Sequence, residues 1–504
     1  MLSKRVALSF AMLAVGCTHN FDKDEVVPPP LVVPEAYTEG QEAPPPTPEV
    51  GQIRDARWWR TMGDPTLSQL IEEALRRNQS VRAGWARVNQ SKYLADQVRA
   101  ARMPQVGLNG RYEMGKGIFA FGDFKTRQAT GSVPVSYEID MFARWAREHQ
   151  GAKLDAKAAA LDQDALAISI SAEVAEAWFD AINARIEVAV VTTQLDTDLR
   201  FLELVELRYR EGLNSAVDVH QQRQRVASQR ALLAVSEAQI DLTDQRLSVL
   251  LGEAPGRSFP LDDRTLPDIG PTPDVEAPAT LLKSRPDIRA AEHRVRAQDR
   301  RLAAALSERL GSVVVDVTPG YTWLRADGTE LIEDPNNPDG PPLPVGVTNF
   351  ANGFTWSMSA NYIVPLFDGL LDQSVIKQQR EIVQELVERY AETVITAISE
   401  VEGALVLERQ ERLRIQFLED EFRLAGITLE ATRDRYRAGL SDFLPVLTAL
   451  ATRQLSELQL IASRRQLVSY RVQLYRALGG AWPEEFGPPE ESGDEPKDGQ
   501  RDKG

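Results

Sequence analysis

The chain has 504 residues, 43% of them hydrophobic, and a formal net charge of -16 at pH 7. This length would allow two or three ordinary domains. The acidic balance argues against nucleic acid as a partner, because a protein that neutralises phosphates needs a basic face. No run of about eighteen apolar residues occurs, so the sequence offers no membrane-spanning helix.

The N-terminus has the composition of a secretory signal peptide. Two basic residues precede an apolar run at 6–15, which is too short to span a bilayer, and Gly16 precedes the single cysteine, Cys17. This segment resembles a bacterial lipobox, in which the cysteine is acylated and becomes the mature N-terminus. The alternative is an ordinary signal peptide with an incidental cysteine. Because Thr18 follows and not Asp, the acylated protein would pass to the outer membrane, where several acyl chains give stable anchoring.

The next part of the chain is predicted to be a tether followed by a helix. Residues 24–50 are rich in proline and are expected to be extended, without a core. From Asp64-Pro65 to about Arg102, apolar residues recur at helical spacing. Asp64 is a suitable N-cap with Pro65 at the first helical position, so we expect a helix to begin there.

Four segments alternate apolar and polar residues and are predicted to be strands. Strands of about ten residues with one apolar face and aromatic ends are typical of a membrane β-barrel. For any single segment the alternative is one face of a sandwich. The segments should form two hairpins closed by long outward loops. The strands are predicted at 105–113, 132–140, 312–323 and 354–364, and the loops at 114–130 and 324–353.

Each hairpin is followed by a helical run of about 70 residues that contains no proline, at 141–210 and at 369–437. At 1.5 Å per residue, each run could extend roughly 100 Å. A globular domain has no need of such helices, whereas a structure that crosses the periplasm does.

A second helix with seven-residue spacing is predicted after each long run. Sustained spacing of this kind indicates coiled-coil packing with a left-handed supercoil. Polar and small residues at 222, 229, 236 and 243 leave a second seam suited to close neighbours or to water. The heptad positions are Val219, Val226, Leu233, Ile240 and Leu247 in one helix, and Leu447, Ile461, Val468 and Tyr475 in the other, where Gln454 interrupts the series.

The two halves of the chain are copies of one unit. Arg-Tyr-Arg-Glu-Gly-Leu at 208–213 returns 227 positions later as Arg-Tyr-Arg-Ala-Gly-Leu at 435–440, and the register then holds for some forty residues. This period is far above the length of a solenoid repeat, so we expect a pseudo-two-fold body and not an array.

The patterns together predict six consecutive parts. Each structural repeat should contain a helix, a hairpin and a pair of long helices. The parts are a signal peptide (1–16), a lipid-anchored Pro-rich tether (17–54), a first structural repeat (55–252), a connector (253–279), a second structural repeat (280–482) and a disordered acidic tail (483–504).

Many weak motifs follow one another in order over roughly 55–482. They are Trp58-Trp59, Asp64-Pro-x-Leu67, Leu75-x-x-Asn78, Met103-Pro104-Gln105-Val106, Tyr137-Glu-Ile-Asp140, Ala172-Glu-Val-Ala175, Leu251-Gly-x-x-Pro255, Leu282-x-x-Arg285-Pro-Asp-Ile288, Val364-Pro-Leu-Phe-Asp-Gly369, Glu400-Val-Glu402, Arg435-Tyr-x-x-Gly439 and Leu478-Gly-Gly-x-Trp482. With these motifs in this order, the chain resembles the TolC-type outer-membrane factors, in particular the lipoprotein branch that works with resistance-nodulation-division efflux pumps.

This resemblance implies a mainly α chain with a membrane β-barrel. Each protomer of a homotrimer would give four strands to a twelve-stranded barrel and long helices to a periplasmic α-barrel, with an equatorial belt around the connector. The residues alone require a similar solution, because four amphipathic strands cannot close a barrel and lipid does not tolerate open sheet edges.

The resemblance also implies contact residues at the two Gly-Leu turns, which end helices. In the family these turns are periplasmic tips that a hexameric adaptor grips, so the contact points would be Gly212, Leu213, Gly439 and Leu440. Many members carry aspartates beyond the second turn that narrow the closed aperture. The aperture residues here would be Pro445 and Thr448, with Asp218 and Asp442 as nearby carboxylates and Tyr436 in the latch.

No catalytic motif, metal-ligand spacing or phosphate-binding loop is present in the sequence, so we expect no enzyme and no cofactor beyond the lipid on Cys17. The expected function is an outer-membrane exit duct that receives small molecules from an inner-membrane pump through a periplasmic adaptor. The alternatives are a duct for type I protein secretion and a structural coiled-coil lipoprotein without a pore.

Overall fold

The computed structural model describes two compact units. The strand unit comprises Gln90–Lys157 and His293–Val387, and the helical unit comprises the other described residues. The candidate lipid site Cys17, the signal peptide and the acidic tail lie outside the described part of the chain. The described residues are Pro34, Tyr37, 57–119, 122–259, 261, 265–273, 275, 278–332, 339–340 and 343–479.

Four long antiparallel strands form one sheet, and the first two of them are each briefly interrupted. β1 and β2 make the first strand, β3 and β4 the second, and β5 and β6 the third and fourth. The second strand pairs with the first and the third, and β5 also pairs with β6. The bounds are β1 Gln105–Val106, β2 Asn109–Phe119, β3 Gly122–Ser132, β4 Val135–Ile139, β5 Ser312–Ile332 and β6 Leu343–Ile363.

Proline explains the interruptions. Pro134 cannot donate a backbone hydrogen bond, and the ladder breaks there and at the facing residues of the first strand. The register continues across the gap, because Gly107 N donates to the Pro134 carbonyl at 2.9 Å and Val133 N donates to the Pro319 carbonyl at 2.9 Å.

The strands are much longer than the sequence predicts. The predicted loops at 114–130 and 324–353 are wrong, since most of these residues pair across the hairpins, as Met114 does with Arg127 and Leu324 with Ala351. The alternation between apolar and polar residues stops in these segments, because glycine and charged residues occupy positions that would otherwise be apolar. The backbone ladder does not depend on that alternation and continues.

The apolar sides predicted for the four strands all lie on the same face of the sheet. Paired residues of an antiparallel sheet point to the same side, and alternate residues of a strand share a side. One row across all four strands contains Val106, Val135, Val317 and Met358. The apolar face is therefore continuous from the first strand to the fourth.

The helices confirm the duplication. The two longest each have 67 residues, and the helices that follow them each have 35 residues. The helices are α1 Pro65–Arg77, α2 Gln79–Ala100, α3 Arg144–Arg210, α4 Ala216–Leu250, α5 Pro278–Ser284, α6 Pro286–Glu308, α7 Leu371–Arg437 and α8 Leu444–Leu478, preceded by a short 3₁₀ helix, Trp58–Met62.

The single helix expected from Asp64 to Arg102 is divided at Asn78. The Asn78 Oδ1 accepts from Ser80 N at 2.8 Å and thereby starts a new helix. Its Nδ2 donates to the carbonyl of Leu250 at 2.8 Å. Arg285 divides α5 from α6 in the second repeat, and its Nη1 donates to the carbonyl of Ala477 at 3.0 Å. Leu250 and Ala477 are 227 positions apart, so both repeats use the same joint.

The heptad positions are partly confirmed. Val219, Val226 and Leu247 are buried, whereas Leu233 and Ile240 are half-buried. The seam at 222, 229, 236 and 243 is buried as well, which supports close neighbours. Among the described residues, no helix combines the length and apolar character needed to cross a membrane.

Candidate functional site at the helical turns

Two turns of the helical unit share one backbone motif. Gly212 and Gly439 have φ of +73° and +72°, a left-handed conformation in which a side chain is strained. Leu213 N donates to the Arg208 carbonyl at 2.8 Å, and Leu440 N donates to the Arg435 carbonyl at 2.9 Å. These bonds close a Schellman motif, which satisfies carbonyls at the end of each long helix.

The leucine of each turn is open to solvent. Leu213 is 65% exposed and Leu440 is 71% exposed. An apolar side chain that stands at the tip of a capped turn contributes little to the core, and it is available for contact with another molecule. The predicted contact residues thus lie on accessible turns.

Tyr436 connects the two turns. Its ring is 2% exposed and packs against Phe443 with centroids 5.5 Å apart. Its hydroxyl accepts a hydrogen bond from Asn214 Nδ2 at 2.7 Å, and the Arg208 guanidinium lies 4.4 Å from the ring centroid. Asn214 and Arg208 belong to the first turn and Tyr436 to the second. Separating the turns would break these contacts, which is the arrangement that a latch requires.

The other predicted aperture residues do not join this cluster. Asp218 forms a capping box with Ser215, since Asp218 Oδ2 accepts from Ser215 N at 3.0 Å. Asp442 is exposed in the second turn. Pro445 and Thr448 line a groove of about 790 Å³ between α7 and α8, and Thr448 Oγ1 donates to the Leu444 carbonyl at 3.0 Å.

A buried polar layer lies further along the same helices. Asp198 of α3 is fully buried and accepts from Gln222 Nε2 at 3.4 Å and from Gln454 Nε2 at 3.3 Å. Gln454 also accepts a hydrogen bond from Arg225. Burial raises the pKa of the Asp198 carboxyl, and the charge of Arg225 only partly opposes that rise. The layer therefore joins α3 and α4 of the first repeat to α8 of the second.

The sequence signalled some of these residues. Gln222 in the polar seam and Gln454 as a break in the heptads are both members of the buried layer. Asp198 and Asn214 carried no such signal, because each lies among other polar residues on a helix or in a turn. Only the pairing of distant segments identifies them.

A second set of buried charges holds the connector. In the first repeat Arg185 Nη2 donates to Asp244 at 2.8 Å and to the carbonyl of Phe259 at 2.8 Å. In the second, Arg471 Nη2 donates to Glu408 at 2.7 Å and to the carbonyl of Pro271 at 2.9 Å. Each repeat thus fixes one part of the connector with a buried arginine. Among the described residues, no group of three or more His, Cys, Asp or Glu side chains could hold a metal ion.

A sheet with one apolar face, combined with two copies of a long helix pair that ends in a capped turn, defines the subunit of an outer-membrane channel. The family comparison agrees. The chain belongs to the family described as outer membrane efflux protein, which it matches over 70–253 and 277–480. These two segments lie almost wholly within the predicted repeats.

Individual relatives have the same character. The chain is 28% identical to the pyoverdine export outer membrane protein OpmQ of Pseudomonas putida, over 85% of this chain and 89% of the relative. It is 25% identical to the toluene efflux pump outer membrane protein TtgF of Pseudomonas putida, over 95% of this chain and 96% of the relative.

Solved structures have the same fold. The outer-membrane channel OprN superposes with a TM-score of 0.77 at 23% identity, over 90% of this chain and 99% of OprN. The outer membrane protein VceC of Vibrio cholerae has a TM-score of 0.73 at 24% identity, over 85% of this chain and all of VceC. The TolC-type fold, the place in the outer membrane and the role as an efflux exit duct are thereby confirmed. The family consists of channel proteins.

Proposed function

We propose that three copies of this chain form one lipid-anchored exit duct, which receives substrate from an inner-membrane pump through a periplasmic adaptor. The observation that carries the proposal is the pairing of the sheet. Within the described residues, the first strand pairs only with the second, and β6 pairs only with β5. Lipid does not tolerate open edges, and three sets of four strands give a closed, even-numbered barrel.

The turns support the adaptor as a partner. Leu213 and Leu440 place two similar apolar contacts on each protomer, so a trimer would present six. Six quasi-equivalent contacts match the six-fold symmetry that the family resemblance implies for the adaptor. The tyrosine between the turns would hold the tips together until the adaptor engages.

The cargo that we propose is a small organic molecule. Relatives named for pyoverdine export and for toluene efflux support this class. The duct itself does no chemistry in this scheme, because it passes on whatever the pump delivers. The lipid would be attached to Cys17.

The assembly is tested by native mass spectrometry and by planar-bilayer conductance of the full-length purified protein. We expect a trimer, discrete single-channel steps, and labelled lipid that is lost in Cys17→Ser. A monomer without channel steps would refute the duct, whereas an unchanged lipid signal in Cys17→Ser would refute only the anchor.

The adaptor contact is tested in cells by the accumulation of a fluorescent efflux substrate. Leu213→Asp and Leu440→Asp should raise accumulation to the level of a deletion strain. Val235→Asp is the matched control, because Val235 is 68% exposed on α4 and lies outside the turns. Normal efflux in both turn variants, with intact trimers, would rule out the leucines as adaptor contacts.

A further inference from the structure

Basic side chains are concentrated on the apolar face of the sheet, just beyond the apolar rows. The register places Met114, Arg127, Arg325 and Phe350 in one row, and Lys116, Lys125, Asp327 and Thr348 in the next. We name four of these side chains the cationic patch. They are Lys116, Lys125, Arg127 and Arg325.

The patch lies on the same face as the apolar rows. Arg325 follows Trp323 by two residues, so both side chains point to the same side of β5, about 7 Å apart along the strand. Ala129 pairs with Trp323 in the row below the patch, and Tyr112 pairs with Ala129. The row with Tyr112 and Trp323 thus borders the patch, whose first row also holds Met114 and Phe350.

The height of the apolar rows fits the membrane. From Val313 to Trp323 the strand advances ten residues, or about 33 Å. A strand tilt of about 40° reduces this to about 25 Å, the usual height of the lipid-facing band of a membrane barrel. Aromatic residues mark the headgroup level, so the cationic patch begins there and extends outward.

Cations outnumber carboxylates in the two rows of the patch. The two rows hold four cations and one carboxylate, Asp327, in a protein whose net charge is -16. Asp327 is already engaged, because Arg325 Nε donates to it at 3.0 Å and Thr348 Oγ1 donates to it at 2.9 Å. Lys125 and Arg127 are exposed on the face of the sheet.

The order of strands and helices along the chain indicates which leaflet of the outer membrane lies next to the patch. The strands join α2, α3, α6 and α7 at one end of the sheet. At the other, hairpin end, which lies beyond the patch, the strands are bounded by Phe119, Gly122, Ile332 and Leu343. In the proposed function the helices enter the periplasm, so the hairpin end faces outward. The location of the patch rests on that orientation.

We propose that the cationic patch binds the phosphate groups of the glycolipid in the outer leaflet of the outer membrane. Arginine and lysine are the usual ligands of phosphate, and basic side chains next to a membrane surface attract anionic lipid. The acyl chains of the same lipid would lie against the apolar rows below. A single lipid would thus bind the cationic patch through its phosphates and cover the apolar rows with its acyl chains.

The test uses the full-length trimer in neutral detergent and diphosphorylated lipid A as the probe. Lipid binding is measured by native mass spectrometry and by the fluorescence of the tryptophans. Lys116→Gln, Lys125→Gln and Arg127→Gln combined should weaken binding by roughly a hundredfold, since each charge contributes. Arg325 is retained because it pairs with Asp327.

Arg111→Gln is the matched control, because Arg111 is exposed on the opposite face of β2 and pairs with Glu113. It should leave lipid A binding unchanged. Equal affinity of the triple variant and the wild type, or of dephosphorylated and diphosphorylated lipid A, would overturn the proposal. Equally tight binding of phosphatidylglycerol, or displacement of lipid A by millimolar inorganic phosphate, would overturn the assignment to the glycolipid.

Trimer integrity and channel conductance are measured on the same samples. They separate this proposal from the proposed function. An intact, conducting triple variant with weakened lipid A binding supports the patch. A wild type that binds lipid A no better than the triple variant while it conducts normally refutes the patch and leaves the duct standing.

Discussion

The two repeats bury charge differently at corresponding positions of the same helices. The first repeat pairs Arg185 with Asp244, and the second has Arg412 and Arg471 at the equivalent positions, 227 residues later. The second repeat supplies its carboxylate from Glu408, one helical turn before Arg412. The function of the cluster, which is to hold the connector by its carbonyls, is retained although one charge is reversed.

The turns show the same contrast between shared backbone and different side chains. Both glycines are left-handed, and both leucines are exposed. Tyr209 and Tyr436 occupy equivalent positions, yet Tyr209 is 48% exposed and Tyr436 is 2% exposed. The duplication therefore preserved the path of the backbone, and only one of the two tyrosines is buried between the turns.

The largest effect is expected from the charge cluster of the second repeat. Glu408→Gln leaves Arg471, and with it Arg412, without a carboxylate, and breaking a buried pair costs roughly 3–5 kcal/mol of stability. Asp244→Asn leaves only Arg185 and should cost less. Asp420→Asn, in an exposed pair with Arg423, should cost about 0–1 kcal/mol. Thermal unfolding followed by circular dichroism gives the order, and a larger loss for Asp244→Asn would contradict it.

Glu408 and Asp198 are both fully buried, and they should respond to pH in opposite ways. Burial opposes ionisation of Glu408, but hydrogen bonds and the charge of Arg471 outweigh it, so its pKa lies below the ordinary 4.5. Its stabilisation should be complete above pH 4.5 and be lost as the pH falls through the lowered pKa. Burial raises the pKa of Asp198, so the folded protein holds that proton more tightly than the unfolded chain.

The consequence for Asp198 is a gain of stability as the pH falls through its raised pKa toward 3.8, its ordinary value. Asp198→Asn should remove this gain, and Glu408→Gln should remove the acid loss below pH 4.5. Thermal unfolding midpoints of the wild type and both variants, measured between pH 3 and pH 8, would test these two predictions. If the midpoint depended on pH in the same way in all three proteins, Asp198 and Glu408 would not cause these pH effects.

The extent to which the sequence predicts the structure depends on how local each feature is. The heptads and the alternation at 312–323 predict the helices and strands because periodicity reflects one buried face. The outer halves of the strands lack such a face, and residues 324–328 are also held by pairing with β3, a strand of the other repeat. The Gly-Leu turns were predictable from a local motif. The contact between Asn214 and Tyr436 was not, because it joins residues of different repeats.

Equal effects are expected for the shared backbone of the turns. Gly212→Ala and Gly439→Ala each place a side chain in the left-handed region, which costs roughly 1–2 kcal/mol. Neither position has an atom within 4 Å of an added Cβ, so strain and not a clash sets the cost. Unfolding midpoints of the two variants should agree. A clear difference would mean that the turns do not share one conformation in the assembled protein.

The smallest effect is expected at the tyrosine pair, and it concerns the latch. Tyr436→Phe removes the hydroxyl that accepts from Asn214 Nδ2, a loss of about 1 kcal/mol per protomer. Tyr209→Phe is the matched control, since Tyr209 is half-exposed at the equivalent position. If the bond between Asn214 and Tyr436 holds the tips closed, Tyr436→Phe should raise single-channel conductance in planar bilayers and Tyr209→Phe should not.

Thr448→Asp, in the groove beside the turn, should shift the ion selectivity of the channel toward cations if Thr448 borders the aperture. Intact trimers with unchanged conductance in Tyr436→Phe and unchanged selectivity in Thr448→Asp would place the constriction elsewhere.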